Sequence, residues 1–207
     1  MHRVVVVGSL ALVMLVGVSP GPAGAQVPLP PLPPDSVAVV RAAAEQGDAG
    51  AQFRIGMACL LGAGITKNGV DAAQWLRKAA GQGHALAQAF LGYMYLSGGD
   101  IPRNAAEAMT WLSKAAEQGE PMAQNAVGFM YLSGQGVTKS ERDAEAWFRK
   151  SMARGSRNAM YNLGVMYHRG LGVGRDDAEA ARLLRAAAER GHPGAQLGLA
   201  ILYSEGS

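Results

Sequence analysis

The residues best suited to catalysis or metal binding are few in this 207-residue sequence, and they are not grouped. Beyond the N-terminal segment the histidines are His84, His168 and His192, and the only cysteine is Cys59. The sequence has no His-x-x-x-His pair and no Gly-x-Ser-x-Gly segment, so neither a zinc site nor a hydrolase nucleophile is indicated. We therefore predict no enzyme activity, no catalytic residue and no bound cofactor or metal.

Four acidic residues resemble candidates for general acid and base catalysis, but they are spaced 36 residues apart: Asp71, Glu107, Asp143 and Glu179. Each follows a potential helix-capping residue by three positions, namely Asn68, Asn104, Ser140 and Asp176. This spacing is typical of a capping box, in which the first side chain accepts from a backbone N–H and the carboxylate reaches back to the first residue. We interpret these carboxylates as parts of helix starts.

The same step of 36 residues organises most of the chain. One column consists of Ala51, Ala87, Ala123, Ala159 and Ala195, and an apolar column consists of Ile55, Leu91, Val127, Leu163 and Leu199. Within each unit, apolar residues recur with helical spacing in two segments that a glycine-rich turn separates, which predicts two amphipathic helices. Because one such unit cannot bury its apolar face alone, neighbouring units must stack.

The register of these columns predicts the organisation of the chain. Four full repeats are expected at residues 49–84, 85–120, 121–156 and 157–192. Residues 35–48 align with a second helix alone and are predicted to cap the N-terminal end of the array. Residues 193–207 align with a first helix alone, which leaves an apolar face open. Either this C-terminal half-repeat is frayed, or another chain covers it, as in a homo-oligomer.

The columns can be written as AxxxLGxxYxxGxGV, an acidic residue and AxxWxxKAAxxG, and they resemble the Sel-one-like repeat (SLR) family, which is related to tetratricopeptide repeats. The resemblance covers residues 35–207. Cys59 replaces a tyrosine, Asp100 a turn glycine and Leu183 a tryptophan, and each replacement is expected to loosen its unit locally. The resemblance implies an all-α fold, a right-handed α/α superhelical solenoid of 36-residue helix-turn-helix repeats. It also implies an adaptor that assembles or regulates other proteins.

The first 25 residues are typical of an export signal. Arg3 precedes an apolar stretch at 4–18, and the small residues Ala23, Gly24 and Ala25 predict cleavage between Ala25 and Gln26. The apolar stretch is shorter than the ~20 residues of a spanning helix, although an uncleaved membrane anchor is the alternative. We therefore expect a periplasmic or secreted protein with no membrane span after cleavage. The proline-rich residues 26–34 are interpreted as a stiff linker, or alternatively as a ligand for a proline-binding groove.

Charge and cysteine content limit the remaining possibilities. The net charge of +3 is too small to argue for nucleic-acid binding. A single cysteine allows no intramolecular disulfide, so stability must come from packing. Cys59 is interpreted as a small buried hydrophobic residue, with a reactive or cross-linking thiol as the alternative.

A partner-binding groove is predicted on the first helices. In related helical repeats these helices line the concave wall, and helical geometry places positions two, six and nine after the column alanine opposite the packing stripe. With one neighbouring charge, the predicted groove residues are Phe53, Met57, Tyr93, Asn125, Phe129, Tyr161, Val165, His168 and Arg169. The alternative is that Met57, Tyr93 and Phe129 pack against the next second helix.

The predicted function is that of an exported, non-enzymatic adaptor that binds a partner protein or peptide through this groove. The partner is expected to be an envelope protein, in envelope signalling or assembly. The alternative is a cell-wall-associated accessory protein or a weak β-lactam or peptidoglycan hydrolase. The cysteine-rich branch of the family that has been associated with β-lactams is a poor match, because its members carry a cysteine pair in each repeat.

Overall fold

The computed structural model of the chain describes residues 33–205, and these residues form ten α-helices and no β-strand. In chain order the helices are α1 Pro34–Glu45, α2 Ala49–Leu61, α3 Gly69–Gly81, α4 Ala85–Ser97, α5 Ala105–Glu117, α6 Pro121–Ser133, α7 Glu141–Ala153, α8 Arg157–Arg169, α9 Asp177–Glu189 and α10 Ala195–Glu205. The predicted export signal at 1–25 and nearly all of the predicted linker at 26–34 lie outside the described residues. Of the ten helices, none has the length and apolarity to cross a bilayer.

The contacts between helices form two compact units, of which one ends at Ala123 and the other begins at Gln124, within α6. The repeats contribute first helices (α2, α4, α6 and α8) and second helices (α3, α5, α7 and α9). By the 36-residue register, α1 corresponds to a second helix and α10 corresponds to a first helix. Each unit is therefore built from the same two kinds of helix.

The repeated columns form the interior of each unit. On the first helices, Ile55, Leu91 and Val127 are 0% exposed to solvent. On the second helices, Leu76 and Phe148 are also 0% exposed. Burying a side chain of this size contributes about 1.5–3 kcal/mol relative to leaving it in water, so these columns are the main source of stability.

A glycine column brings the two helices of each repeat close together. A Cβ atom on Gly56 would lie 2.9 Å from Leu76 Cγ, and one on Gly92 would lie 2.6 Å from Leu112 Cγ. The corresponding glycines of the third and fourth repeats, Gly128 and Gly164, face Phe148 and Leu184 in the same way. The missing side chain is therefore what lets the large residue of the second helix reach the backbone of the first.

The second helices are capped by the residues that the sequence indicates, but the return bond of a capping box is absent. Asn68 Oδ1 accepts a hydrogen bond from the Asp71 backbone N–H at 3.1 Å, and Asp176 Oδ1 accepts from Glu179 at 2.9 Å. The backbone N–H of Asn68 donates to the Cys59 carbonyl oxygen at 2.9 Å, and the other three caps repeat this contact with Tyr95, Tyr131 and Tyr167. The prediction that the carboxylate reaches back is therefore wrong, because the preceding first helix already supplies an acceptor.

The turn containing Asp100 accommodates its departure from the repeat pattern. At the corresponding position two repeats later, Gly172 has a positive φ, and a Cβ there would lie 2.6 Å from Glu141 Cβ at the start of α7. In the turn with Asp100, the place of Glu141 is taken by Gly69, on which a Cβ would lie 2.1 Å from Asp100 Oδ2. The glycine has moved to the opposite side of the contact, so the replacement at Asp100 is sterically compensated.

Candidate functional site

Five of the nine predicted groove residues are buried in the structure. Their exposed fractions are 5% for Phe53, 2% for Met57, 2% for Asn125, 3% for Phe129 and 7% for Tyr161. An accessible groove lined by these five side chains is therefore wrong. They pack in the interior because the side of a first helix opposite its own second helix is also covered.

Two of the buried residues stack on histidines in the turns between repeats. The Phe53 ring lies 4.6 Å from the His84 ring and 6.1 Å from the Phe90 ring, measured between centroids. Tyr161 stacks on His192 at 4.2 Å. Both histidines occur 31 residues after their aromatic partner. The sequence signal for these pairs is that aromatic residue and histidine occur together in the first and fourth repeats.

Polar groups at the same positions are also used internally. Asn162 Nδ2 donates a hydrogen bond to Asn125 Oδ1 at 3.0 Å, and both side chains are buried. The Tyr93 hydroxyl donates to the Met122 carbonyl oxygen at 3.0 Å. Burial raises the pKa of Tyr93, so its phenol remains neutral. Tyr93 is half-buried overall, and its polar end is committed to the next turn.

Three of the predicted residues remain accessible at the C-terminal end of α8. Val165 and His168 are half-buried, and Arg169 is exposed. His168 Nδ1 lies 2.9 Å from Asp177 Oδ1, and Arg175 Nη2 donates to Asp177 Oδ2 at 2.8 Å. The hydrogen bonds from Arg175 and then His168 lower the pKa of Asp177, so this carboxyl is ionised at neutral pH. We call Val165, His168, Arg169, Arg175 and Asp177 the α8 surface.

Charge on the α8 surface is unevenly used. Asp177 is shared between His168 and Arg175, whereas Arg169 has no hydrogen bond or ion pair with any described residue. The sequence stage did not single out Arg175 or Asp177. A signal for Asp177 was present, because the first position of the second helix changes from Gly69 through an alanine to acidic residues in later repeats.

A separate apolar cleft of about 550 Å³ lies at the N-terminal end of the first unit. Its walls come from α1, from the start of α2 and from the turn before α4, and they include Val39, Val40, Ala43, Gly50, Ala51 and Arg54. Val39 is 69% exposed, the largest exposed fraction of any large apolar residue in the described chain. Sequence reasoning did not predict this cleft.

Residues with metal-binding or nucleophilic chemistry are dispersed through the described chain. Across residues 33–205, no group of three or more His, Cys, Asp or Glu side chains is arranged to hold a metal ion. Cys59 is a free cysteine that is 3% exposed. Burial and, to a smaller extent, Asp71 raise the pKa of its thiol, which disfavours the reactive thiolate. The position is that of a small buried apolar residue.

The histidine caps make stability depend on pH. His192 Nδ1 accepts a hydrogen bond from the Gly194 N–H at 3.2 Å, which requires a neutral ring. Burial, assisted by Arg157, lowers the pKa of His192 to about 4. Since the unfolded chain then binds the proton more readily, the stabilisation is complete above pH ~6.5 and is lost as the pH falls towards the folded value.

We expect lowering the pH from 7.5 to 5.0 to reduce the free energy of unfolding by about 1–2 kcal/mol through His192. The measurement is urea unfolding followed by circular dichroism at both pH values. His192→Ser is the matched variant, because Ser156 caps α8 at the corresponding position, where its Oγ accepts from Ala159 at 3.3 Å. An equal pH dependence in wild type and His192→Ser would contradict the prediction.

A family model described as Sel1 repeat matches residues 49–84, 85–120, 121–156 and 157–192. The chain belongs to the Sel1 repeat family. The predicted all-α solenoid of helix-turn-helix repeats is confirmed by this match and by the order of the helices. Proteins with Sel1 repeats are generally protein-interaction scaffolds, so membership supports a scaffold role for this Sel1 repeat chain.

Two solved structures are similar to the Sel1 repeat chain. A protective antigen present in uropathogenic Escherichia coli strains, which displays an SLR fold, is 37% identical with a TM-score of 0.75, and the match covers 83% of this chain and 37% of the antigen. A Sel1 repeat protein from Oxalobacter formigenes is 33% identical with a TM-score of 0.79, and the match covers 84% and 69% of the two chains. The Sel1 repeat chain thus spans little more than a third of the antigen. Among curated proteins, none matches it significantly.

Proposed function

We propose that this Sel1 repeat chain is an exported, non-enzymatic adaptor that binds a partner protein or peptide in the cell envelope. The observation that carries the proposal is the run of four Sel1 repeats, since such repeats generally serve as protein-interaction scaffolds. The sequence of the first 25 residues supports export. The proposed role is in envelope signalling or assembly.

The partner is proposed to bind at the α8 surface rather than over all the first helices. Arg169 offers an exposed guanidinium without a partner among the described residues, and Val165 offers apolar area one helical turn away. A guanidinium pairs well with a carboxylate, and Arg is enriched among residues that dominate binding energy. The expected ligand is therefore a segment that carries an acidic group beside an apolar side chain.

Affinity capture from an envelope fraction, followed by a binding titration with the purified partner, tests this proposal. We expect Arg169→Ala to weaken partner binding at least tenfold because the paired carboxylate loses its counterion. Arg142→Ala is the matched control, since Arg142 is also exposed and lies in the same unit away from the α8 surface. Failure to capture a partner that binds saturably would overturn the adaptor role. Equal binding by the Arg169→Ala and Arg142→Ala variants would overturn the α8 surface alone.

Export is tested separately from binding. Mass spectrometry of the mature protein from the envelope fraction is expected to identify Gln26 as the first residue, as cleavage after Ala25 requires. A mature chain that begins at Met1 would refute cleavage, and recovery only from the cytoplasm would refute export.

A further inference from the structure

We propose that this chain assembles head to tail with a second copy of itself. In the proposed contact, α10 of one copy occupies the cleft between α1 and α2 of the next copy. Helix α10 is of the first-helix type and α1 is of the second-helix type, so the contact completes one repeat across two chains. The inference is independent of the proposed adaptor function, because it uses neither the α8 surface nor an envelope partner.

The outer face of α10 lacks the cover that other first helices have in the described chain. Leu197 is 47% exposed and Ile201 is 43% exposed, although the residues at the same register positions in the first repeat, Phe53 and Met57, are 5% and 2% exposed. Leu199 is only half-buried, whereas its counterparts in the first three repeats are fully buried. This face therefore has the residues of a packed first helix without a neighbouring helix.

The N-terminal cleft lacks the opposite part of the same arrangement. Its walls are Val39, Val40 and Ala43 of α1 and Gly50, Ala51 and Arg54 of α2. By the 36-residue register, the corresponding walls one repeat later come from α3 and α4. There the space is filled by α2, since Gly56 packs against Leu76 and Phe53 lies 6.1 Å from Phe90. The cleft is thus the slot of a first helix.

The side chains that would meet in this slot are complementary in size. In three of the four repeats a glycine on the first helix faces a leucine on the second helix. In the proposed contact the glycine position is held by Ala200 and the leucine position by Val40. One carbon is added on one helix and one is removed on the other, so the combined volume is conserved, which is the kind of exchange that packed interiors tolerate best.

The same complementarity argues against a standard second helix on α10. A Cβ at the glycine position would lie 2.6–2.9 Å from leucine Cγ in those three repeats. Ala200 carries such a Cβ, so a second helix with leucine at the usual position would have to move outward. Valine is the shorter residue, and α1 supplies it. A second copy of this chain is therefore the occupant that the residues favour.

The contact is heterologous, because each copy uses two different surfaces. Sedimentation equilibrium of the purified chain is expected to give a mass that rises with concentration above that of one chain. The tail variant Leu197→Glu/Ile201→Glu and the head variant Val39→Glu/Arg54→Glu should each be monomeric. An equimolar mixture of the two variants should form a one-to-one dimer, because the mixture retains one intact head and one intact tail. Val70→Glu is the control, since Val70 is 50% exposed outside the cleft.

A cross-linking experiment fixes the register of the contact. In the array, Asn125 and Asn162 bond at 3.0 Å, and their register positions correspond to Leu197 and Arg54 in the proposed contact. A Leu197→Cys chain mixed with an Arg54→Cys chain should give a disulfide-linked dimer, whereas Val70→Cys should not replace Arg54→Cys. A monomer at all concentrations, or a head variant that self-associates as well as wild type, would overturn the proposal. Circular dichroism verifies that each exposed substitution leaves the helices intact.

Discussion

Replacing Gly92 by alanine is expected to destabilise the protein by about 2 kcal/mol, although alanine is the better helix former. The added Cβ would lie 2.6 Å from Leu112 Cγ and 3.1 Å from the Leu112 backbone nitrogen. Leu112 is 0% exposed, so it has no free space into which it can turn. Relief requires α4 and α5 to separate, and overpacking of this kind costs roughly 1–3 kcal/mol in a well-packed core. Urea unfolding followed by circular dichroism measures the loss.

The matched control for this prediction is Gly81→Ala. Gly81 also lies in a helix, and no atom beyond its own surroundings lies within 4 Å of a Cβ placed there. Alanine in an open helical position is expected to stabilise by about 0.5–1 kcal/mol through helix propensity. Opposite signs for the two substitutions would separate the close approach of two helices from the general cost of removing glycine. Equal stabilisation by both would refute the close approach.

A second substitution connects this contact with the proposed assembly. The double variant Gly92→Ala/Leu112→Val recreates within one chain the pairing of Ala200 with Val40 across two chains. We expect it to recover part of the stability that Gly92→Ala loses, because the combined volume returns to that of the original pair. An additive loss in the double variant would remove the volume argument for head-to-tail contact without affecting the argument from exposed faces.

The repeat architecture could be predicted from the sequence because its stabilising residues recur. A column such as Ile55, Leu91 and Val127 is visible without an alignment, since each repeat provides a comparison for the others. The helix caps were predicted for the same reason, as each lies at a fixed distance from an acidic residue. What recurrence could not supply was the hydrogen-bond partner of the capping residue's own N–H. That partner, such as the Cys59 carbonyl oxygen, belongs to another helix and carries no side-chain signature.

The groove prediction failed because it considered one helix and one packing partner. Helical geometry correctly placed Phe53 and Asn125 opposite the stripe that faces their own second helix. A first helix in an array has a further neighbour, however, and this side contacts the next first helix or the turn before it, as the Phe53–His84 stack demonstrates. The paired occurrence of an aromatic residue and a histidine in two repeats was the sequence signal that favoured internal packing.

Asp100 illustrates the limit of comparing one residue with a family pattern. Alone, an aspartate in a glycine column indicates a loosened turn. The structure shows that Gly69 compensates for it, because the two residues share one contact across consecutive repeats. Such compensation depends on proximity between residues far apart in sequence, which the column pattern by itself does not encode.

Replacing Phe129 by alanine is expected to cost about 3–5 kcal/mol of unfolding free energy. Phe129 is 3% exposed and packs in a cluster with Phe148, Leu163 and Met166, so truncation leaves a cavity that these rigidly held neighbours fill only in part. A residue that lined an accessible groove would instead lose partner affinity and leave stability nearly unchanged. Thermal and urea unfolding of the purified variant therefore distinguish the two interpretations directly.

Arg169→Ala provides the comparison for Phe129→Ala, because both positions were predicted from the same helical periodicity. Arg169 is exposed and bonds to no described residue, so its removal is expected to change stability by less than about 0.5 kcal/mol. We expect the two variants to separate cleanly, with stability lost at Phe129 and partner affinity lost at Arg169. If Phe129→Ala unfolded at the same urea concentration as wild type, the first helix at this position would be open rather than packed, and the binding surface would have to extend beyond α8 to the third repeat.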